Sequence, residues 1–387
     1  MKPFGFFLLA SLAVPSMAQS PPEAEVLRKL FEEGTDAVTY TEQFSNALPP
    51  GQLAQVLSSI ESQLGEFQSV SGTANPFTAV FESGSATVQI VLDNAGRLAG
   101  LRFTQLVPQA AGIEEALERF DSLPGTTAYL ITENGTVRAA KNQDEPLAIG
   151  SAFKLAVLAA VERAVEDGRL AWTQTVEMKD EWRSLPTGIL QDWPAGVALT
   201  LETLAALMIS ISDNTATDAL IDIVGRTAVE ELAPNSVPLL TTAEAFKLKN
   251  PDNEALLRSY RSSSVSAKRR VLGRLDDAPL PPPDLFAGDP VAQDVEWFIS
   301  VSRLCSLIQS VAHLDLMTIN PGIANADDWA RVAYKGGSEP GIMNMTIHLE
   351  HPDGTTYCVS ATNVRTDGTV DEVAFYSAFQ GVLSALR

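Results

Sequence analysis

The sequence predicts a mixed α/β protein of two domains: a small α+β domain, and a larger one with an antiparallel sheet, flanking helices and an inserted helical region. Two observations lead to this fold class. Residues 22–69 have helical patterns, and residues 77–104 then alternate between apolar and polar side chains as strands do. Beyond residue 110, strand patterns occur at both ends of the segment, with helical patterns between them. The 387 residues, of which 45% are apolar, suffice for two packed cores.

The N-terminus has the pattern of a secretory signal peptide. Lys2 supplies a positive charge, residues 4–14 are mostly apolar, and small residues lead to a cleavage point after Ala18. A membrane-spanning helix is the alternative, but the apolar run is too short to cross a bilayer. We therefore expect residues 1–18 to be removed, which leaves a periplasmic or secreted protein with no membrane anchor.

Charge and cysteine usage argue against several classes of partner. The net charge is −21 and the basic residues are spread along the chain, which disfavours nucleic acid and anionic membrane surfaces. The two cysteines, Cys305 and Cys358, form either a disulfide or a pair of buried free thiols in an exported protein. Of the three histidines, His313, His348 and His351, the last two lie near a strand end and point to opposite faces. This spacing disfavours a zinc site, and we expect no metal and no cofactor.

The domain boundary is expected where the first set of strand patterns ends. We assign residues 19–109 to the α+β domain and residues 110–387 to the larger one. The larger domain contains a hairpin whose turn is the Asn-Gly pair at 134–135, a dipeptide typical of two-residue turns. Its last helix is expected to start at Thr369, the first residue of a Thr-x-x-Glu capping box.

The stretch GSAFKL places Ser151 three residues before Lys154, where a largely apolar helix begins. Side chains three apart share one face of a helix, so the amine can reach the hydroxyl. A buried ammonium is costly unless it is paired or neutral, and a helix N-terminus favours a developing anion. These features suit a nucleophilic serine with its base. The alternative is a helix cap at Ser151, with Lys154 extending to water.

Two further stretches contain residue types that such chemistry needs. An SDN triplet at 212–214 lies between two helical patterns, and a KGG triplet at 335–337 lies at the end of a strand pattern. Together with the Ser-x-x-Lys of Ser151 and in this order, they resemble the serine β-lactamase and penicillin-binding-protein superfamily, and its class A enzymes most. The resemblance covers roughly residues 111–387. It implies a β-lactamase-like fold for the larger domain.

The resemblance also implies a reaction through an acyl-enzyme. Ser151 would attack the substrate carbonyl, with Lys154 in its neutral form as the base. Lys335 would depress the pKa of Lys154 as a second cation, and Ser212 would relay a proton to the leaving group. The backbone N–H groups of Ser151 and Ser338 would form the oxyanion hole. The substrate-binding residues implied in this way are Asn214, Gly337 and Ser338.

The chain departs from the superfamily pattern in two places. Gly336 replaces a serine or threonine whose hydroxyl helps to hold a substrate carboxylate, and Ser338, on the same side of the strand, offers a substitute. Most of the loop that carries the deacylating glutamate of class A enzymes is also absent. We expect Glu230 and Glu231 on the exposed face of a helix, and Glu244 in the first turn of the next one.

The α+β module in front of these motifs makes the chain similar to two-domain β-lactamase-like hydrolases, whose first module has a cystatin-like or isomerase-like fold. We therefore predict an exported serine hydrolase that acts through an acyl-enzyme on amide or ester bonds of β-lactam-like substrates. Its partner is a small molecule, which is a β-lactam, an ester or a cell-wall peptide. The alternatives are an esterase or D,D-peptidase, and a β-lactam- or muropeptide-binding protein with little turnover.

Overall fold

The computed structural model describes residues 21–71, 75–108, 112–286 and 288–387. The predicted signal peptide lies outside these ranges. The chain divides into two compact units, residues 1–109 and 110–387. Within the described ranges, no helix combines the length and the apolar character that crossing a membrane requires.

The first unit packs three helices against a four-stranded antiparallel sheet of order β1-β2-β3-β4. Its elements are α1 (Pro22–Glu32), α2 (Glu42–Ala47), α3 (Pro50–Leu64), β1 (Phe67–Ser71), β2 (Phe77–Phe81), β3 (Gly84–Leu92) and β4 (Leu98–Pro108). Alternate side chains of β2 and of most of β3 are buried, so one face of the sheet packs against the helices. The segment predicted as helical therefore ends in a strand. Gly65, with φ 81°, ends α3 in a conformation that favours glycine, and β1 follows.

The second unit is built on a five-stranded antiparallel sheet. The strands of this unit are β5 (Thr126–Glu133), β6 (Thr136–Lys141), β7 (Leu147–Ala148), β8 (Thr175–Glu177), β9 (Ala198–Thr200), β10 (Phe298–Ile299), β11 (Arg331–Glu339), β12 (Ile342–Glu350) and β13 (Thr356–Val364). The main sheet has the order β11-β12-β13-β5-β6, and β7 pairs with β10 and β8 with β9. The turn between β5 and β6 uses Asn134 and Gly135, both with positive φ. The sheet thus receives strands from both ends of the unit, and the predicted fold class is confirmed.

Most helices of the second unit lie between β6 and β11 in the chain. The helices of this unit are α4 (Ile113–Ser122), α5 (Lys154–Glu166), α6 (Leu201–Ser210), α7 (Asn214–Val224), α8 (Arg226–Glu230), α9 (Thr242–Lys249), α10 (Glu254–Arg261), α11 (Val265–Leu272), α12 (Val301–Val311) and α13 (Glu372–Ala385). The start expected for α13 at Thr369 is wrong. Asp371 is the cap, and its carboxylate accepts a hydrogen bond from Ala374 N at 3.0 Å. A carboxylate directly before the first turn reaches its free N–H groups, so the helix begins three residues later.

Helices cover both faces of the main sheet. On one face α4 and α13 pack together, with the rings of Phe120 and Phe375 5.5 Å apart in the core. On the other face, α5 and α12 pack in the larger core cluster with apolar side chains of the sheet such as Leu130. Cys305 of α12 and Cys358 of β13 form a disulfide, with Cα atoms 5.9 Å apart. The alternative of two free thiols is therefore not realised.

Candidate active site

Ser151 lies in a turn of 3₁₀ helix, Gly150–Phe153, that leads directly into α5. Gly150 has φ 50°, in the left-handed region that glycine adopts without a steric penalty. The side chain of Ser151 is half-buried and does not cap the helix. Its Oγ makes no hydrogen bond to any residue that the structure describes. The hydroxyl therefore remains available to a ligand.

Lys154 is fully buried at the first position of α5. Its Nζ donates hydrogen bonds to the carbonyl oxygen of Ser212 at 2.5 Å, to Ser212 Oγ at 3.1 Å and to Asn214 Oδ1 at 2.6 Å. An ammonium has three donors, so this arrangement satisfies all of them in the interior. The amine neither extends to water nor hydrogen-bonds to Ser151. Lys154 thus connects the Ser-x-x-Lys motif to the SDN triplet.

The SDN triplet holds its polar groups on a sharply bent backbone. Ser212 has φ 58°, which is uncommon for a residue with a side chain and is found most often at functional sites. The buried carboxylate of Asp213 caps α7. This cap fixes Ser212 and Asn214 around Lys154 Nζ. The backbone N–H groups that donate to Asp213, at 2.7–3.0 Å, are those of Ile189, Leu190 and Ala216.

Lys335, near the middle of β11, brings a second amine to the same place. Its Nζ donates to Ser212 Oγ at 3.1 Å and to the Gly336 carbonyl oxygen at 2.5 Å, and the residue is 3% exposed. Burial lowers the pKa of Lys154 well below its usual value, and the nearby charge of Lys335 lowers it further. Burial lowers the pKa of Lys335 to about 7. The site therefore favours the neutral form of Lys154 at neutral pH.

Strand β11 approaches the turn at Ser151 so closely that only glycine fits at position 337. A Cβ on Gly337 would lie 2.2 Å from the Ile149 carbonyl oxygen and 2.6 Å from the Ser151 nitrogen. From the other side, a Cβ on Gly150 would lie 3.2 Å from the Ser338 nitrogen. The backbone nitrogens of Ser151 and Ser338, predicted as oxyanion donors, thus both lie where β11 meets this turn.

Two cavities that described residues line open at Ser151. The Phe246 cavity has a volume of about 340 Å³ and the Tyr334 cavity a volume of about 320 Å³, and both are lined by Ser151, Thr187 and Ser338. Lys154 lies behind them, in contact with Ser212 and Asn214. Further lining residues are Asn214, Phe286 and Glu339 in the Phe246 cavity, and Ser212, Lys335, Gly336, Gly337 and Asn320 in the Tyr334 cavity. All seven residues predicted for the site therefore lie at one location.

Comparison with known proteins agrees with this geometry. Residues 111–244 match the model of the beta-lactamase enzyme family. A beta-lactamase from Sphaerobacter thermophilus is similar in structure at 22% identity, over 71% of this chain and 95% of that chain, with a TM-score of 0.50. The resemblance to the serine β-lactamase and penicillin-binding-protein superfamily is confirmed.

Two other solved structures are similar at lower scores. A beta-lactamase from Chitinophaga pinensis has 18% identity over 70% of this chain and 97% of that chain, with a TM-score of 0.49. PBP-A has 16% identity over 72% of this chain and 98% of that chain, with a TM-score of 0.47. No curated protein matches the chain.

Thr187 and Tyr334 are among the residues that lie at the site but outside its three motifs. Thr187 Oγ1 donates to the carbonyl oxygen of Ser212 at 2.7 Å, the same atom that Lys154 contacts. Tyr334 lines the cavity that also contains Lys335. Strand alternation could have placed Tyr334 at the site from the sequence, because residues 334 and 336 point to the same side of β11. No local pattern singles out Thr187.

A buried charged cluster of Lys249, Glu296 and Glu339 lies beside the Phe246 cavity. Lys249 Nζ pairs with both carboxylates, and the side chains of Lys249 and Glu296 are fully buried. Burial and, after it, the charge of Glu339 raise the pKa of Glu296 well above its usual value. Sequence reasoning missed this cluster because the three residues are far apart in the chain. Elsewhere in the described residues, no group of His, Cys, Asp and Glu side chains is arranged to hold a metal ion.

The glutamates that follow α7 have structural partners. Glu230 is 7% exposed; its carboxylate accepts from Leu239 N at 2.9 Å and pairs with Arg269 at 2.5 Å. The exposed position predicted for Glu230 is therefore wrong, because the chain after α8 folds back over it, whereas Glu231 is exposed. Glu244 lies in the first turn of α9, where it forms a capping box. Within the described chain, none of these three carboxylates lines a cavity at Ser151.

Proposed function

We propose that the protein is an exported serine hydrolase whose Ser151 is acylated by amides or esters related to β-lactams. One observation carries the proposal: two buried amines, of Lys154 and Lys335, each lie 3.1 Å from Ser212 Oγ, next to a serine hydroxyl open to two cavities. The family match over residues 111–244 supports the same class of chemistry. Export is supported by the signal-peptide pattern of residues 1–18.

In the acylation step, Ser151 Oγ attacks the substrate carbonyl carbon and its proton passes to Lys154 in the neutral form. The Oγ–C bond forms, the C–N or C–O bond of the substrate breaks, and Ser212 relays a proton from the amine to the leaving atom. The backbone N–H groups of Ser151 and Ser338 donate to the oxyanion, where one such donor contributes a factor of about 100 to 1,000 in rate. Water then cleaves the acyl-enzyme, which releases the acid and restores the hydroxyl.

Intact-protein mass spectrometry with benzylpenicillin, followed by peptide mapping, tests this proposal. We expect one adduct per chain, on the peptide that contains Ser151, and no adduct on Ser151→Ala. Turnover of nitrocefin and of p-nitrophenyl acetate, measured with the same two proteins, reports hydrolysis. If no acylating reagent labels Ser151 in the folded protein, the proposal is wrong.

A second candidate function is a β-lactam- or muropeptide-binding protein that turns over slowly. The positions of Glu230 and Glu244 favour it, because both carboxylates are engaged away from Ser151 and neither is available to activate a deacylating water. The same experiment separates the two functions. A stoichiometric adduct that persists without product release indicates the binding protein, and many turnovers per chain indicate the hydrolase.

A further inference from the structure

The position at which the third motif lacks a hydroxyl is filled by another side chain. A Cβ on Gly336 would lie 2.2 Å from Tyr334 Oη and 3.0 Å from Tyr334 Cζ. Residues 334 and 336 point to the same side of β11, so the ring of Tyr334 extends along the strand and covers the glycine. The phenol oxygen therefore occupies the space into which a serine or threonine side chain at 336 would project.

A second glycine lies against the ring. A Cβ on Gly322 would lie 2.7 Å from Cγ and Cδ2 of Tyr334, and Gly322 has φ 65°, where glycine is preferred. The ring also packs against the core cluster that includes Phe375. The ring of Tyr334 thus packs closely against two glycines and the core cluster, and this packing restricts the direction of its hydroxyl.

The hydroxyl of Tyr334 has no hydrogen-bond acceptor among the described residues. Tyr334 lines the Tyr334 cavity together with Ser151, Lys335 and Ser338, and its Oη makes no hydrogen bond to any described residue. Burial and, to a smaller extent, Tyr376 raise the pKa of Tyr334, so the phenol keeps its proton at neutral pH. Oη is not among the fully buried side-chain atoms that lack a partner, so it is accessible from the cavity and can donate to a ligand atom there.

We propose that Tyr334 Oη donates a hydrogen bond to an anionic group of the substrate and so replaces the hydroxyl that Gly336 lacks. Lys335, which lines the same cavity, supplies a positive charge in its protonated form. Tyr334 is then a specificity-determining residue, and the preferred substrates have a carboxylate, or an anion of similar size, next to the bond that is cleaved. The identity of that bond rests on the function proposed above, whereas recognition of the anion is measurable without any reaction.

Equilibrium binding to Ser151→Ala, which cannot be acylated at that position, tests recognition alone. The probes are benzylpenicillin and its methyl ester, which differ only in the negative charge. We expect Tyr334→Phe, made in the Ser151→Ala background, to weaken binding of the acid by about tenfold or more, since a hydrogen bond to a charged group is lost. The ester, which has no charge at this position, is expected to change by less than about twofold.

Ser338→Ala in the same background is the matched control, because Ser338 carries the other hydroxyl on this side of β11. If Ser338→Ala weakens binding of the acid and Tyr334→Phe does not, the proposal is wrong. Equal losses for the acid and the ester in Tyr334→Phe would also overturn it, and so would the absence of any preference for the acid in Ser151→Ala itself.

Moving the hydroxyl from position 334 to position 336 provides the second test. Gly336→Thr alone is expected to lower the melting temperature, because its Cβ would overlap Tyr334 Oη. Tyr334→Ala removes the ring, and Tyr334→Ala/Gly336→Thr then has both the space and a new hydroxyl. We expect the double variant to bind benzylpenicillin about tenfold tighter than Tyr334→Ala. No recovery in a folded double variant would contradict the proposal.

These measurements separate failure of the inference from failure of the proposed function. Tyr334-dependent binding of the acid, without any labelling of Ser151 in the natural protein, would leave the inference standing and remove the hydrolase. Labelling of Ser151 with no effect of Tyr334→Phe on acid binding would support the hydrolase and show that the inference about Tyr334 is wrong.

Discussion

Lys154 and Lys335 reach one oxygen atom, Ser212 Oγ, from a helix and from a strand, and each Nζ lies 3.1 Å from it. Both amines are buried, and two positive charges at one hydroxyl repel each other. Protonation of both amines at the same time is therefore disfavoured in the folded protein. This relationship determines how activity and stability depend on pH.

Activity toward an anionic substrate is expected to fall as the pH rises above about 7. The pKa of Lys335 is about 7, so its ammonium attracts a carboxylate below that pH and is neutral above it. The measurement is kcat/KM for nitrocefin between about pH 5 and pH 10, since kcat/KM reports the free enzyme. The matched substrate is p-nitrophenyl acetate, which has no carboxylate, after subtraction of the Ser151→Ala rate. If kcat/KM fell in the same way above about pH 7 for both substrates, the fall could not be assigned to attraction between Lys335 and a carboxylate.

Lys335→Met is expected to stabilise the β-lactamase-like unit near pH 7. The folded pKa of about 7 lies below the ordinary 10.5, so the unfolded chain binds more protons between these values and stability rises with pH across that window. At pH 7 the apolar side chain removes this penalty and raises the free energy of unfolding by about 2–4 kcal/mol. Above pH 10.5 the lysine is neutral in both states, and the difference should shrink toward zero.

Urea titrations of the natural protein and of Lys335→Met at both pH values measure this effect. Lys141→Met is the control, because that side chain is 38% exposed and its replacement should have a similar, small effect at both pH values. A stability gain of Lys335→Met that did not depend on pH would have to come from packing alone.

Lys249→Met is expected to destabilise the same unit by about 3–5 kcal/mol at neutral pH, because it leaves Glu296 and Glu339 without their buried counter-ion. The raised pKa of Glu296 sets the sign of the pH dependence. As the pH falls, Glu296 is protonated at a higher pH than an ordinary glutamate and then needs no counter-ion. The destabilisation caused by Lys249→Met should therefore become smaller at lower pH. Chemical denaturation of the variant and of Lys249→Met/Glu296→Gln checks this. A double variant as unstable as the single one would show that the carboxylate charge is not the cause.

Reduction of the disulfide between Cys305 and Cys358 is expected to lower the free energy of unfolding by about 4 kcal/mol, the loop-closure estimate for a separation of 53 residues. The bond ties α12 to β13. Urea midpoints with and without reductant measure the effect. Cys305→Ala/Cys358→Ala is the control, because reductant should not change its midpoint. A reductant effect of equal size in that variant would exclude the disulfide as its source.

Sequence reasoning succeeded for the fold where the signal is local. The Asn-Gly turn at 134–135 and the alternation along the strands are properties of neighbouring residues, and both appear in the structure. It failed at Thr369, where Asp371 competes for the same N–H groups. It also failed at Glu230, since burial there depends on a later segment that folds back over α8. Exposure of a charged residue is not encoded in its immediate neighbours.

For the candidate site, the sequence by itself determined the three motifs, their order and the missing hydroxyl at Gly336, because residue types and spacing belong to the chain. Only the tertiary structure decided that Lys154 turns toward Ser212 and that the ring of Tyr334 covers Gly336. It also decided that the two cysteines are bonded. These outcomes depend on distances of a few ångströms between atoms brought together by folding, and a periodic pattern in the chain carries no information about such distances.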